Sequence, residues 1–355
     1  MGVTKAKIER FRCLRSVEFL PDARHNVIVG ANGAGKTSIL EAIFFLGRGR
    51  SFRGGTGSGL IQTGAENLTI FGELASNVGP RRVGVDLSRK GLRIQVDGDR
   101  DRKTADLVNA LPVQVIDPQI HELVQGGPKD RRRFLDWGVF HVKHEFFSIW
   151  RRYRRALQQR NSALRSRQPE SAVRVWDQEL ISAGEKIDRM RREYLDSLAD
   201  EFGSMSLELL GLPAVGKYRS GWAQGIDFAA ALDDSWERDS SHTQTHVGPH
   251  RAELALEVDD QPARHRLSRG QQKLLGISLV LAQSQFVARC LDQDVTLLVD
   301  EPAAELDSER LEALMSVLSN ARAQLFISAL DREALPLQMP ARVFHVERGE
   351  LTTLV

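Results

Sequence analysis

One segment of the sequence, GANGAGKT at residues 30–37, combines small residues with a lysine and a hydroxyl at the spacing GxxxxGK[ST]. The apolar stretch HNVIVG runs into it, and TSILEAIFFLG, which has helical spacing, follows it. Small residues let backbone N–H groups surround a phosphate, and a helix N-terminus adds partial positive charge. We therefore expect ATP here, with Lys36 at its β- and γ-phosphates and Thr37 on Mg²⁺. The predicted ATP-binding residues are Gly30, Ala31, Asn32, Gly33, Ala34, Gly35, Lys36, Thr37 and Ser38.

A pair of acids ends the apolar segment TLLVDEP and completes the predicted chemistry. Asp300 is predicted to hold Mg²⁺ through water, and Glu301 to polarise the attacking water. Glu301 and Lys36 are therefore the predicted catalytic residues. Two acids also occur at ordinary strand ends, but together with the phosphate-binding loop in the same chain they indicate a Walker B strand.

A second phosphate-binding pattern, LSRGQQ at residues 267–272, lies more than two hundred residues further on. It is similar to the signature motif of ABC-type ATPases. That resemblance implies an ATP-induced homodimer, in which this motif contacts the γ-phosphate of ATP held by a second copy. The residues implied are Ser268, Arg269, Gly270 and Gln271, with Asp307 of the D-loop segment AAELD at the dimer interface. The alternative is an ordinary N-capped helix, because Ser268 and Gln271 nearly form a capping box.

The elements around these motifs predict an α/β protein: an ABC-type P-loop ATPase lobe of mixed sheet plus helices, with an inserted α-helical lobe. From about residue 129, apolar residues recur at three- and four-residue steps, which predicts two long helices packed as a hairpin. Strands return after about 214, with a turn at 259–260. We expect the ATPase lobe to comprise 1–120 and 215–355 and the helical lobe 121–214. Gly47 is the expected C-cap of the helix after the phosphate-binding loop.

The bulk composition is that of a soluble globular protein, with 355 residues, 41% hydrophobic residues and a net charge of +2. Its two cysteines, Cys13 and Cys290, are far apart, so neither a disulfide framework nor a zinc site is expected. The N-terminal segment lacks the apolar region of a signal peptide. No apolar run approaches the roughly 20 residues that a membrane helix needs. These features predict a cytoplasmic protein without a membrane partner.

Longer segments carry a more specific resemblance that runs in order over nearly the whole chain. They are LEAIFFLGRGRSFR (40–53), GGPKDRRRFLDWGVFH (126–141), QQRNSAL (158–164), THVGPHRAEL (245–254), LSRGQQKLL (267–275) and LVDEPAAELDSER (298–310). Together they resemble the RecF family of bacterial recombination mediators, a branch related to SMC and Rad50. The resemblance implies an ATP-dependent dimer that binds DNA at gaps or single/double-strand junctions. It also implies a slow DNA-stimulated ATPase that helps RecR and RecO load RecA during gap repair and the SOS response.

A basic segment, RRYRRALQQRNSALRSR at residues 151–167, holds seven arginines and no acid. Arginine pairs well with phosphate oxygens, so the segment is a candidate DNA-binding arm. The candidate DNA contacts are Arg151, Arg152, Arg154, Arg155 and Arg160. The alternative is a solvated helix face paired with Glu179, Glu185 and Asp188 of the following helix.

The alternative function is an ABC-type ATPase subunit with a protein or membrane partner. Transporter subunits of that class carry a histidine on the strand after the D-loop, whereas Ser328 and Ala329 stand near that place here. A nuclease-associated relative of SMC would need a second acidic metal cluster, and none is evident in the sequence. Arg12, just before the phosphate-binding strand, is a further candidate nucleotide contact.

Overall fold

The computed structural model describes residues 2–54, 57–77, 79–100, 102–337 and 340–354. Its strands are β1 (Gly2–Phe11), β2 (Leu14–Phe19), β3 (His25–Val29), β4 (Asn67–Ala75), β5 (Arg81–Ser88), β6 (Gly91–Val96), β7 (Val113–Ile116), β8 (Ala214–Arg219), β9 (Glu253–Val258), β10 (Gln261–Pro262), β11 (Val295–Val299), β12 (Ala323–Ala329), β13 (Arg342–Glu347) and β14 (Glu350–Thr353). Its helices are α1 (Lys36–Arg48), α2 (Thr104–Ala110), α3 (Glu122–Gln125), α4 (Pro128–Val142), α5 (Phe146–Arg165), α6 (Glu170–Arg174), α7 (Asp177–Leu210), α8 (Phe228–Asp234), α9 (Trp236–His242), α10 (Ala263–Arg266), α11 (Arg269–Leu291), α12 (Pro302–Glu305) and α13 (Ser308–Asn320).

The chain divides into two compact units: Met1–Ile120 with Ile277–Val355, and His121–Gly276. The first unit contains a six-stranded sheet in the order β14-β13-β3-β12-β11-β7. Its strands run parallel except for β14. Every residue of β3 and β11 is buried, which explains why both read as unbroken apolar runs in the sequence. Because parallel strands end at one edge, the residues that follow β3, β11 and β7 lie along that edge.

The first unit also contains a five-stranded antiparallel sheet in the order β2-β1-β4-β5-β6. Its strands alternate buried and partly exposed side chains. The buried face shares one core with α1, whose apolar side chains fill the space between this sheet and the parallel one. The opposite face of the antiparallel sheet carries polar and charged residues.

The end of α1 differs from the sequence-based expectation. Gly49, not Gly47, caps the helix, in the left-handed conformation with φ 62°. Gly47 lies inside the helix, where a Cβ atom would come within 2.7 Å of the Leu111 carbonyl oxygen. The glycine at 47 is therefore required by close packing.

In the second unit, α5 packs along α7, so the predicted hairpin of two long helices is present. Strands β8, β9 and β10 form a small antiparallel sheet. The turn between β9 and β10 is made by Asp259 and Asp260, both with positive φ, as the sequence predicted.

The expected return to the ATPase lobe at residue 215 differs from this division, which keeps 215–276 with the helices. Strand β8 packs on α7, and the turn Pro249–Arg251 also contacts α7. These contacts hold the segment in the second unit, so the GPHR motif lies there and not in the nucleotide lobe.

One helix, α11, meets the length and hydropathy of a membrane span, with a mean hydropathy of 1.5 in an 18-residue window. This finding corrects the expectation that no apolar run approaches the length of a membrane helix. However, 78% of the window is buried inside the protein. A buried core helix passes the same test, so α11 is weak evidence for a membrane span.

Candidate nucleotide site

The loop between β3 and α1 has a conformation that requires glycine. Gly30 has φ 152°, and a Cβ atom there would lie 2.3 Å from the Val346 carbonyl oxygen. Gly35, at the start of α1, has φ 120°. The predicted loop, residues 30–35, therefore leads directly from a buried strand into a helix N-terminus, the arrangement that surrounds a phosphate with N–H groups.

Lys36 folds back over this loop. Its Nζ donates to the carbonyl oxygens of Gly30 at 2.8 Å and Ala31 at 3.2 Å. It also forms an ion pair with Glu301 Oε1 at 2.9 Å, and only 2% of its side chain is exposed. The ammonium group is thereby held beside the loop of residues 30–35, where phosphates would bind. Both predicted catalytic residues are thus brought together.

Thr37 and Asp300 meet although 263 residues separate them. Thr37 Oγ1 donates a hydrogen bond shared between Asp300 Oδ1 at 3.0 Å and Oδ2 at 3.1 Å. Burial raises the pKa of Asp300, while hydrogen bonds from Ser328 and Thr37 act against the rise. A hydroxyl and a carboxylate are hard oxygen ligands that suit Mg²⁺, so the residues present fit the expected ion.

Ser328 holds the Walker B turn and was not predicted to do so. Its hydroxyl donates to Asp300 Oδ1 at 2.7 Å and accepts from the Glu301 backbone N–H at 2.9 Å. Glu301 needs this support because its φ of 48° and ψ of 52° are left-handed, an uncommon conformation for a residue with a Cβ. The position where transporters carry a histidine thus has a structural role in this chain.

Asp117 is a further acid at the same sheet edge that sequence reasoning missed. It directly follows β7, whose Ile116 pairs with Val299 of β11 and accepts a hydrogen bond from the Asp300 N–H. Burial raises the pKa of Asp117 to about 6, and the negative charge of Asp300 adds to the rise. The signal was present: LPVQVID, like TLLVD, is an apolar strand that ends in an acid.

Arg12 does not have the free guanidinium expected of a nucleotide contact. It donates to both carboxylate oxygens of Glu41, at 3.1 Å and 2.8 Å, and to the Gly59 carbonyl oxygen at 2.8 Å. Glu41 lies on α1 and is fully buried. The pair therefore joins the turn between β1 and β2 to the helix that carries Lys36, which is a structural role.

The signature residues lie in the second unit, at the start of α11. The Ser268 N–H donates to Gln271 Oε1 at 3.0 Å, and the Gln271 N–H donates to Ser268 Oγ at 3.3 Å. This reciprocal pair is the capping box that the sequence suggested. It leaves open a second role toward ATP. Asp307 caps α13 in the first unit by accepting from the Arg310 N–H at 3.0 Å.

The candidate DNA-binding arginines of α5 differ in their surroundings. Arg151, Arg154 and Arg155 are exposed. Arg152 forms an exposed ion pair with Glu179 of α7 at 2.6 Å, as the alternative interpretation expected.

Arg160 corrects the prediction of DNA contact, because its side chain is fully buried. It bonds to Asp177 at 2.8 Å, to Asp239 at 2.7 Å and to Thr245 Oγ1 at 2.8 Å. A buried guanidinium with two carboxylate partners is unavailable to DNA phosphates.

Arg131 of the GGPKDRRRFLD motif is also internal to the second unit. It binds both carboxylate oxygens of Glu253 at 2.9 Å and the Gly126 carbonyl oxygen at 2.7 Å.

Among the described residues, no group of three or more His, Cys, Asp or Glu side chains is placed to hold a metal ion. Cys13 and Cys290, both exposed, are not joined in a disulfide.

Comparison with known proteins agrees with this architecture. The family model described as RecF/RecN/SMC N terminal domain matches residues 2–352. The "DNA replication and repair protein RecF" of Shewanella baltica is 38% identical over 361 residues, covering all of both chains. That of Shewanella denitrificans is 36% identical over 359 residues, again covering all of both.

Solved structures share the fold at lower identity. The recombination mediator RecF with ATP has a TM-score of 0.90 at 23% identity and covers 100% of this chain and 98% of its own. An SMC head bound to the C-terminal winged-helix domain of ScpA has a TM-score of 0.62 at 15% identity, with 100% and 98% covered. The ABC-type head fold predicted from the motifs is therefore confirmed, and the chain belongs to the RecF family.

Proposed function

We propose that this protein is an ATP-controlled DNA-binding switch that acts in recombinational repair of gapped DNA. The observation that carries the proposal is the assembly of Lys36, Thr37, Asp300 and Glu301 at one edge of the parallel sheet, in a chain of the RecF family. These four side chains supply a phosphate-binding cation, two oxygen ligands and a general base.

In the proposed mechanism the loop of residues 30–35 and the first turn of α1, to Ser38, bind the triphosphate of ATP through their N–H groups. Lys36 leaves Glu301 and moves its ammonium to the phosphates, since a triphosphate carries more negative charge than one carboxylate. Thr37 and Asp300 hold Mg²⁺, which when bound neutralises charge on the phosphates. Glu301, released from Lys36, then orients the attacking water and accepts its proton.

The signature residues 268–271 of a second copy would close over the γ-phosphate, so that ATP binding joins two chains. A start of α11 already fixed by the Ser268–Gln271 capping box supports this role, because the N–H groups of the first turn are preorganised. Asp307 would lie at the interface. Hydrolysis would remove the shared phosphate and release the dimer, giving a slow switch.

The exposed arginines of α5 would hold DNA phosphates in the closed dimer. Arg151 and Arg155 lie one turn apart and Arg154 between them, so all three share one face of the helix. Arg154 is held over the Trp150 ring at 4.8 Å, which limits its freedom before binding. The solved relatives are described as mediators of the RecFOR pathway. With that support, we propose that this protein acts in the cytoplasm, with RecR as direct partner and RecO and RecA further along the pathway.

The test is binding of a labelled gapped duplex at fixed salt, with ATP or with ADP. Glu301→Gln keeps ATP unhydrolysed, and Arg151→Glu with Arg155→Glu reverses charge on the arm. We expect ATP to tighten binding and ADP not to, and the charge-reversed protein to lose affinity and show a shallower salt dependence. Arg152→Glu is the control, because Arg152 already pairs with Glu179.

Equal affinity with ATP and ADP would contradict the switch. An unchanged salt slope in the Arg151→Glu, Arg155→Glu protein would remove α5 from the interface while leaving the ATP dimer standing.

A further inference from the structure

The face of the antiparallel sheet opposite α1 contains a long trough. Strands β4, β5 and β6 form its floor, over which a hollow of about 1220 Å³ continues into a second of about 750 Å³. The two hollows share Phe71, Gly84 and Gln95. These three residues are direct neighbours across the strands, so they form one row at the middle of the trough.

Gly84 makes the floor deep at this row. A Cβ atom there would meet only Gln95 Cβ, at 3.9 Å, so the space above the backbone is open. Phe71 stands next to it and is partly exposed. An aromatic ring beside an empty floor position can receive a planar group stacked against the ring.

One end of the trough is positively charged. Arg89, Lys90, Arg93 and Arg100 line it and are exposed. Within the described residues, none of the four has an acidic partner within ion-pair distance. The acids lining the same hollow are Glu66 and Asp86, so four cations face two anions.

The other end of the trough is balanced. Arg82 pairs there with Glu73 at 3.6 Å, and Arg81 pairs with Asp97 at 3.0 Å. The excess charge is therefore confined to one end.

We propose that this trough binds single-stranded DNA, with phosphates at the cationic end and a base stacked on Phe71 above Gly84. The floor spans three strands, roughly 10 Å, which admits one strand and is too narrow for a duplex. Open cationic grooves with an aromatic ring are the general means of holding single strands. An acidic peptide would satisfy the cations but gives no role to the ring and the empty floor beside it.

The experiment measures anisotropy of a fluorescein-labelled oligothymidylate of about 12 nucleotides with the full chain, without nucleotide. Three variants probe the trough: Gly84→Val fills the floor without a backbone clash, Phe71→Ala removes the ring, and Arg93→Glu reverses charge. Each should weaken binding at least about fivefold. Arg82→Glu, on the same face but at the balanced end, should change it little. Thermal unfolding checks that each variant is folded.

Wild-type affinity in both Gly84→Val and Phe71→Ala, or no binding by the unaltered chain, would overturn the proposal. Weakening by Arg93→Glu alone, together with equal competition by polyglutamate, would identify an acidic-peptide site and overturn it as well. Because the experiment compares variants of the trough in the same chain and uses no ATP, its result does not depend on whether the ATP switch proposed above is correct.

Discussion

At the residue scale, the Walker B carboxylates depend on a hydroxyl outside every motif. Ser328 supplies a hydrogen-bond donor to Asp300 and an acceptor to the Glu301 N–H, and it is fully buried. Without it, Asp300 would be buried with fewer donors and the left-handed turn at Glu301 would have an unpaired N–H. Ser328 thus stabilises both the carboxylate of Asp300 and the backbone conformation of Glu301.

Ser328→Ala should therefore destabilise the protein and weaken binding of Mg²⁺-ATP. The unpaired groups left behind cost about 1–3 kcal/mol of unfolding free energy. The missing donor should also raise the pKa of Asp300 further, since that hydrogen bond lowers it. Urea unfolding in EDTA and ATP titration with Mg²⁺ measure the two effects.

Ser284→Ala is the matched control for this prediction. Ser284 is also buried, but its hydroxyl donates to the Val280 carbonyl of its own helix, at 2.8 Å. Equal unfolding free energies for the Ser328→Ala and Ser284→Ala proteins would argue against a special role for Ser328.

At this scale, the sequence predicts those site residues that lie within a short contiguous motif. Lys36, Thr37, Asp300 and Glu301 each stand within a short motif, and the structure brings them together. Ser328 and Asp117 belong to no motif, and they join the site only because β12 and β7 flank β11. Strand order is a long-range property, so single-segment patterns do not contain it.

At the element scale, Arg160 ties three helices together. Its guanidinium lies between Asp177 of α7 and Asp239 of α9, and the residue is 0% exposed. From sequence alone it was one arginine of a basic run. Its position on the buried side of α5, one turn before the buried Ala163 and Leu164, distinguishes it from Arg151 and Arg155.

Arg160→Ala should accordingly act on stability and not on DNA affinity. Removing the guanidinium deprives two largely buried carboxylates of their shared cation, and breaking a buried ion pair in this way costs about 3–5 kcal/mol. Denaturant unfolding measures the loss, and binding of a duplex by the folded fraction measures affinity. Arg155→Ala, on the exposed side of the same helix, should show the reverse: little change in stability and weaker binding.

His250 gives the second unit a defined response to acid. Burial lowers its pKa to about 4, although a hydrogen bond with the Thr245 carbonyl acts in the opposite direction. Tyr153 of α5 lies 2.6 Å from its Nδ1. Because the folded-state pKa is below the unfolded value of about 6.5, the unfolded chain binds more protons between pH 6.5 and 4. Stability is therefore present above pH 6.5 and declines as the pH falls.

The decline attributable to His250 is about 2 kcal/mol between pH 7 and pH 5. His250→Gln should remove that part of the slope, whereas His242→Gln, at an exposed position, should retain it. Unfolding free energies measured at several pH values across this window decide the matter. Parallel pH curves for wild type and His250→Gln would show that the buried imidazole is not the group that titrates.

Element prediction from sequence succeeded where periodicity was strong, as for α5 and α7. The sequence did not predict the border of the second unit. The alternation of polar and apolar residues in 214–258 predicts strands, but it does not predict which strands pair. Strands β8 and β9 pair with each other and α7 packs on β8, and they form a sheet separate from both sheets of the first unit. Tertiary contacts decide which sheet β8 and β9 join, and a local sequence pattern does not contain those contacts.

At the scale of the whole molecule, the chain carries two sequence patterns typical of phosphate binding for one expected nucleotide. The signature start at Ser268 belongs to the second unit and the loop at Lys36 to the first. In the dimer proposed above, each of the two segments would contact a different ATP. That arrangement makes subunit association, and not ATP affinity, the quantity most sensitive to Ser268.

Ser268→Asp tests this separation while preserving the fold. Aspartate is as good an N-cap as serine, so the start of α11 should remain formed. Its negative charge would face the γ-phosphate of the partner's ATP and oppose closure. We expect ATP to bind the dilute monomer with wild-type affinity, while sedimentation velocity shows no ATP-dependent dimer. Ser268→Asn, which caps without a charge, should still dimerise. If the Ser268→Asp protein dimerised with ATP like the wild type, Ser268 would be only a helix cap, and the interface would have to use another surface.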